Sequence, residues 1–172
     1  MTNLSPPSLF LDTALIVSAL LAKDSGASPG YGLFKMGEAS LVSLDTSEDV
    51  LREAEGVLQA VLEEEAGRVK VIIAENLAIG NVAIVPPPSD TAVRKCFLMT
   101  GYAPDAKVLA AAIERGCEVF VTYDRQHLLN NPKIGPPNTR IVVTTGGEAK
   151  AWAIDQISVR SRLRAEQKRK SP

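Results

Sequence analysis

Acidic side chains at four separated places are the residues of this chain best suited to chemistry. Asp12 follows the apolar run 8–11, Asp124 follows a second strand-like run at 118–123, and Asp105 stands directly after Pro104 where a helix opens. A fourth carboxylate comes from a helical stretch, where periodicity puts Glu53 on one shoulder of the apolar stripe and Glu55 on the other. Nothing in the pattern chooses between those two. Carboxylates gathered at one place bind hard divalent cations, Mg²⁺ or Mn²⁺, through oxygen. Such an ion neutralises a phosphodiester, whose own charge opposes attack, and lowers the pKa of a bound water. Zn²⁺ would want His or Cys, and the chain has one histidine, His127, and two cysteines, Cys96 and Cys117, with no CxxC. Several carboxylates within a few ångström repel one another, so without metal at least one is expected to have a raised pKa. Each acid also has a plain structural use. Asp caps helices and closes turns, and a helical Glu is ordinarily a solvated surface group.

The elements that must bring these acids together alternate along the chain. The strand at 8–11 is followed by a helix over 13–22 with Leu15, Ile16, Ala19 and Leu20 inward. Residues 25–32, rich in Gly, Ser and Pro, read as a loop, followed by a short helix over 31–38 and a strand over 40–44. Thr46 and Asp49 form a capping pattern for a helix with Val50, Leu51, Ala54, Val57, Leu58, Val61 and Leu62 on one face. Residues 66–79 are read as continued helix, and 82–85 as a strand closed by Pro86-Pro87-Pro88. Ser89 or Asp90 caps a helix to about Met99. The next, from Pro104-Asp105, faces Val108, Leu109, Ala112 and Ile113 inward until Gly116 stops it. A strand over 118–123, a Pro/Gly/Asn-rich stretch at 130–139 and a strand over 140–144 follow. Gly146-Gly147 reads as a hinge before a C-terminal helix containing Trp152. This alternation predicts an α/β fold with a mainly parallel sheet and helices on both faces. The carboxyl ends of such strands share one edge, so acids remote in sequence can meet there.

At 172 residues, 45% of them hydrophobic, the chain fits one domain with a sizeable core. No apolar run is long enough to span a membrane, and the start has neither a basic nor a long apolar region of secretory type. The two cysteines are expected to be small buried hydrophobes in a reducing, cytoplasmic setting. Net charge is −1, yet residues 160–172 carry Arg160, Arg162, Arg164, Lys168, Arg169 and Lys170 against Glu166 alone. An acidic body with a basic end suggests a tail that touches polyanions, or a solvated terminus. Other chemistries fit less well. One histidine leaves little room for a Ser–His–Asp triad. The residues after Asp12 are Thr13-Ala14, not the DxD of an aspartyl-phosphate phosphatase, and the early acidic pair and late Lys of a receiver domain are missing. Gly146-Gly147 lacks a dinucleotide or Walker pattern.

The quartet resembles a known family. LFLDT at 9–13, SEDVLREAEGVL at 47–58, DAKVLAAA at 105–112 and VFVTYD at 119–124 look like the four acidic motifs of PIN domains. These are metal-dependent ribonucleases that include the VapC-type toxins of toxin–antitoxin pairs. Order and spacing match over roughly residues 8–145. The resemblance implies a PIN-like three-layer α/β/α fold with about five strands over 1–145, leaving 146–172 as a C-terminal helix and basic tail. It selects Glu53 over Glu55 and implies that Asp12, Glu53, Asp105 and Asp124 form the catalytic site. Asp12 and Asp105 would ligate the principal Mg²⁺ or Mn²⁺ ion. Asp124 would hold a second ion or a water on the first, and Glu53 would ligate through water or orient the nucleophile. Products would then carry 5′-phosphate and 3′-hydroxyl ends. Thr122 would orient a ligand through its hydroxyl, or serve as an ordinary strand residue. Lys107 and Arg125 would position the RNA backbone, or pair with acids on the rim. The implied partners are RNA and, for a toxin, a small antitoxin that places a basic side chain in the acidic crevice. PIN domains also commonly form homodimers. One departure is Ala14, where the family often has Asn or Ser. It motivates the alternative of a PIN-like module that binds RNA or protein without cutting.

Overall fold

Five short strands build one sheet in the computed structural model, which describes residues 5–22 and 28–170. Residues 1–4 at the expected leaderless start, 25–27 of the expected loop, the side chain of Lys170 and residues 171–172 lie outside the described residues. The strands are β1 (Ser8–Leu11), β2 (Ser43–Ser47), β3 (Val82–Val85), β4 (Val119–Val121) and β5 (Val142–Thr144). All pair in parallel, in the order β3-β2-β1-β4-β5. Leu9, Phe10 and Leu11 of β1 and all of β4 are buried, as expected of central strands covered on both faces. Phe10 and Phe120 are opposite each other in the register, and their rings stack at 5.5 Å.

The strand order explains the layering. The chain steps from β1 to β2 to β3 in one direction through α1 (Thr13–Leu21), α2 (Pro29–Glu38), α3 (Glu48–Val61), a 3-10 turn at Glu63–Arg68 and α4 (Val69–Ile79). It then returns across the sheet to β4 through α5 (Asp90–Thr100) and α6 (Ala103–Arg115). Right-handed crossovers in opposite directions put the two groups on opposite faces. The contacts agree: α1 packs on α2 and α3, α3 on α4, and α5 on α6. The final helix α7 (Gly146–Lys170) joins the first group through α2. This is the three-layer α/β/α fold expected.

Local differences from the expected elements have local causes. The second strand runs from Ser43, not over 40–44, because Ser40 takes a left-handed turn (φ 55°) after α2. Thr46 does not cap α3. It is buried within β2, where its hydroxyl donates to the Leu11 carbonyl at 3.0 Å, so Ser47 accepts from the Val50 N–H instead. The buried row of α3 is narrower than its apolar stripe. Val50, Ala54 and Leu58 are covered, whereas Val57 and Val61 are exposed. Gly116 ends α6 with φ 78°, a left-handed stop that suits glycine.

Gly146 is no hinge. It opens α7, and a Cβ there would meet Tyr123 Oη at 2.7 Å and Leu15 Cδ1 at 2.8 Å, so a missing side chain is what lets α7 approach α1. Thr145 and Glu148 close the helix start reciprocally: Glu148 Oε2 accepts from the Thr145 N–H at 3.1 Å, and Thr145 Oγ1 accepts from the Glu148 N–H at 3.5 Å. At the far end of the sheet Arg160 is only 5% exposed. Its guanidinium donates to Glu118 Oε1 at 2.5 Å and to the Ser5 carbonyl at 2.6 Å. Arg160 thus belongs to the body of the fold and not to a basic tail.

Candidate active site

The sheet reverses its direction of growth between β1 and β4, and a parallel sheet opens a crevice at the carboxyl ends of such a strand pair. Asp12 leaves β1 there. Its N–H donates to the Val121 carbonyl at 3.1 Å, which fixes it beside the end of β4. Its carboxylate has two uses. Oδ1 accepts from the Thr13 N–H at 2.8 Å, capping α1, and Oδ2 accepts from Thr122 Oγ1 at 2.6 Å. Capping and site duty therefore coincide in one residue. Thr122, fully buried, also accepts from the Asp124 N–H at 3.0 Å, so one hydroxyl ties Asp12 to Asp124.

Glu53 reaches this edge from α3, which packs on α1. Its Oε2 accepts from Thr13 Oγ1 at 2.7 Å. Glu55 points elsewhere, with Oε1 at 3.6 Å from Lys70 Nζ. Asp105 lies in the first turn of α6. Asp124 is held by its own turn, Oδ1 accepting from the N–H of Gln126 at 2.6 Å and of His127 at 3.1 Å. That turn also swings His127 between two acids, with Nδ1 at 2.9 Å from Asp105 Oδ2 and 3.2 Å from Asp124 Oδ2. Tyr102, at the start of α6, stacks on the imidazole at 4.9 Å.

The electrostatics carry the mark of crowded acids. Burial, opposed by the Thr122 and Thr13 hydrogen bonds, raises the Asp12 pKa, and the charges of Glu53 and Asp124 add to the rise. Burial and then the Asp124 charge push Asp105 up to about 6, with the His127 charge opposing them. Asp124 moves the other way: burial pushes it up, but the His127 and Gln126 N–H donors and the His127 ring outweigh that. Asp12 thus feels the charges of Glu53 and Asp124, and Asp105 those of Asp124 and Asp12, as carboxylates facing one edge would. Asp105 Oδ2 is buried and makes no aligned hydrogen bond, although His127 Nδ1 stands 2.9 Å from it. An oxygen-rich donor set with a carboxylate oxygen that lacks an aligned hydrogen bond fits a hard divalent cation. Asp105, Asp124 and His127 present ligand atoms within 4.8 Å of one another.

Comparison with known proteins decides the family. A PIN domain model matches residues 8–126, most of the chain. This chain belongs to the PIN domain family. The PIN fold recurs in PAE2754 from Pyrobaculum aerophilum, 15% identical, with a TM-score of 0.58 over 87% of this chain and 96% of that one. It recurs too in VapBC2 from Rickettsia felis, solved bound to a DNA fragment from their promoter. That structure is 13% identical, with a TM-score of 0.50 over 80% of this chain and 97% of that one. No curated protein matches the chain.

An open cleft of about 630 Å³ adjoins the acids of this PIN domain, lined among others by Asp49, Arg52, Glu53, Tyr102, Asp105 and Lys107. Lys107 does not pair with Asp105. Its Nζ is 2.9 Å from Asp49, which Arg52 also approaches at 3.3 Å. Arg125 is exposed, beside Asp124 in sequence. Ala14 is exposed in the first turn of α1. His127, Thr13 and Asp49 were not among the residues expected at the site. The signal for His127 was its place three residues after Asp124, within one turn. No helix of the described residues is long and apolar enough to cross a membrane.

Proposed function

We propose that this PIN domain is a Mg²⁺- or Mn²⁺-dependent endoribonuclease that hydrolyses RNA phosphodiesters at the β1/β4 edge. The observation that carries the reading is that Thr122 ties Asp12 to Asp124, Thr13 joins Asp12 to Glu53, and His127 lies between Asp124 and the buried Oδ2 of Asp105, which has no aligned hydrogen bond. Asp12, Asp105 and Asp124 are the residues to hold the ion. When bound, the cation neutralises the phosphodiester and lowers the pKa of a water. Glu53, on the cleft side, accepts from Thr13 and has a second oxygen to orient or deprotonate the attacking water. Thr122 fixes the rotamer of Asp12 and the backbone of Asp124 together. Lys107 and Arg52, balanced by Asp49, form a basic rim for the RNA backbone, and exposed Arg125, next to Asp124 in sequence, is a further cation for it. In this reading the protein works in the cytoplasm. As a toxin it would meet a small antitoxin whose basic side chain enters the acidic crevice, in keeping with its likeness in fold to VapBC2.

The test is cleavage of end-labelled RNA in Mg²⁺, Mn²⁺ or EDTA, with the product ends mapped. Metal-dependent cutting that leaves 5′-phosphate and 3′-hydroxyl ends is expected. RNA bound equally well with and without EDTA, and never cut, would support a PIN-like module that holds RNA instead.

A further inference from the structure

His127 enters the acidic cluster where a four-carboxylate centre has no use for it. Hydrogen bonding accounts for only one of its two contacts. Nδ1 carries at most one proton, the 3.2 Å contact with Asp124 Oδ2 has hydrogen-bond alignment, and Asp105 Oδ2, at 2.9 Å, stays without a hydrogen-bond partner. A shared ion accounts for both. Two ligand atoms at right angles on an ion with bonds of about 2.1 Å stand about 3.0 Å apart. The separations of 2.9 and 3.2 Å bracket that value.

The imidazole is held in place by groups that take no part in the cluster. Tyr102 stacks on one face, its plane within 16° of the ring. The His127 carbonyl accepts from Asn131 Nδ2 at 2.7 Å, and the same amide reaches the Met99 carbonyl at 3.0 Å, anchoring the turn to α5. These contacts leave Nδ1 directed at the two carboxylates.

We propose that His127 Nδ1 is a nitrogen ligand of the divalent ion held by Asp105 and Asp124, and that it biases the centre toward Mn²⁺ over Mg²⁺. The proposal rests on the reading of the cluster as a metal centre. Mg²⁺ favours an all-oxygen shell and dehydrates reluctantly, whereas a transition ion such as Mn²⁺ accepts imidazole nitrogen more readily. One nitrogen among carboxylates therefore separates two ions that an all-oxygen site would treat alike.

The chain has a single histidine, so any imidazole coupling to a bound ion reports His127, provided the protein carries no added histidine tag. Electron spin echo spectroscopy of the Mn²⁺-loaded protein should show ¹⁴N modulation that disappears in His127→Gln. Calorimetry should show the Mn²⁺-to-Mg²⁺ affinity ratio falling by about tenfold in the same variant. Mn²⁺ bound to wild type without nitrogen coupling would overturn the proposal and leave the metal centre standing. An equal loss of both ions in the variant, with the ratio unchanged, would do the same. If wild type bound no Mn²⁺ at all, the metal centre itself would fall. The wild-type spectrum decides the point without relying on the variant.

Discussion

Thr122 donates to Asp12 Oδ2 at 2.6 Å, a hydroxyl at the end of β4 holding the carboxylate at the end of β1 across the point where the sheet reverses. Because the same oxygen accepts from the Asp124 N–H, its loss removes the partner of two part-buried polar groups, Asp12 Oδ2 and the Asp124 N–H. Thr122→Val keeps the shape and removes the hydroxyl. It should cost about 1–2 kcal/mol of stability in chemical unfolding. Ion affinity should fall by about tenfold or more. Thr122→Ser should restore both.

The choice between the two glutamates of α3 is now geometric. Glu53 meets Thr13 Oγ1, whereas Glu55 is drawn to Lys70. Glu53→Gln is expected to lower RNA cleavage by about a hundredfold or more if Glu53 handles the attacking water. Glu55→Gln should leave the rate within about twofold, its exposed ion pair contributing at most about 1 kcal/mol. Equal losses in the two variants, measured by single-turnover cleavage, would undo the assignment.

Asp105 makes the metal-free protein sensitive to pH. Its folded value of about 6 lies above the ordinary 3.8, so the folded state holds this proton more tightly than the unfolded chain. The stabilisation from that proton is complete below 3.8 and is lost as pH rises through about 6. In EDTA, Asp105→Asn should therefore be more stable than wild type at pH 7 by about 1–2 kcal/mol, after allowance for partial solvent screening. The gap should shrink toward pH 4. Ion binding needs the deprotonated group, so apparent metal affinity of wild type should weaken below about pH 6. Urea unfolding at both pH values and metal titration across the range check the two halves.

Arg160 clamps α7 to the edge of the sheet opposite the acids. Arg160→Met removes the partner of Glu118 and the donor to the Ser5 carbonyl. A loss of about 2–3 kcal/mol is expected, with metal affinity unchanged. Melting and calorimetry on the same sample separate the two effects.

The sequence made the strand-helix alternation legible because each element carries its own periodicity and stop signals, such as Pro86-Pro87-Pro88 and Gly116. It also placed Asp12, Asp105 and Asp124 near strand or helix ends, while Glu53, inside α3, was singled out from Glu55 only by the resemblance to PIN domains. What it hid were relations made only by packing. Thr46 looked like a cap because its spacing to Asp49 is right, but its hydroxyl is committed to β1. Arg160 looked like one more basic residue of a tail until Glu118, 42 residues earlier, met it. Asp45 attracted no notice as a strand residue, yet it is buried and paired with Arg115 at 3.0 Å. A lone histidine argued against a zinc site, and that argument said nothing about a histidine joining carboxylates.

The most direct test of the metal-dependent nuclease is cleavage of a mixed RNA pool by the purified protein, run beside Asp105→Asn in Mg²⁺, Mn²⁺ and EDTA. Wild type should cut in either metal and stop in EDTA, while the variant, still folded, should lose at least about a hundredfold. Cleavage that survives both EDTA and Asp105→Asn, or a folded wild type that binds metal and RNA yet never cuts, would contradict the account.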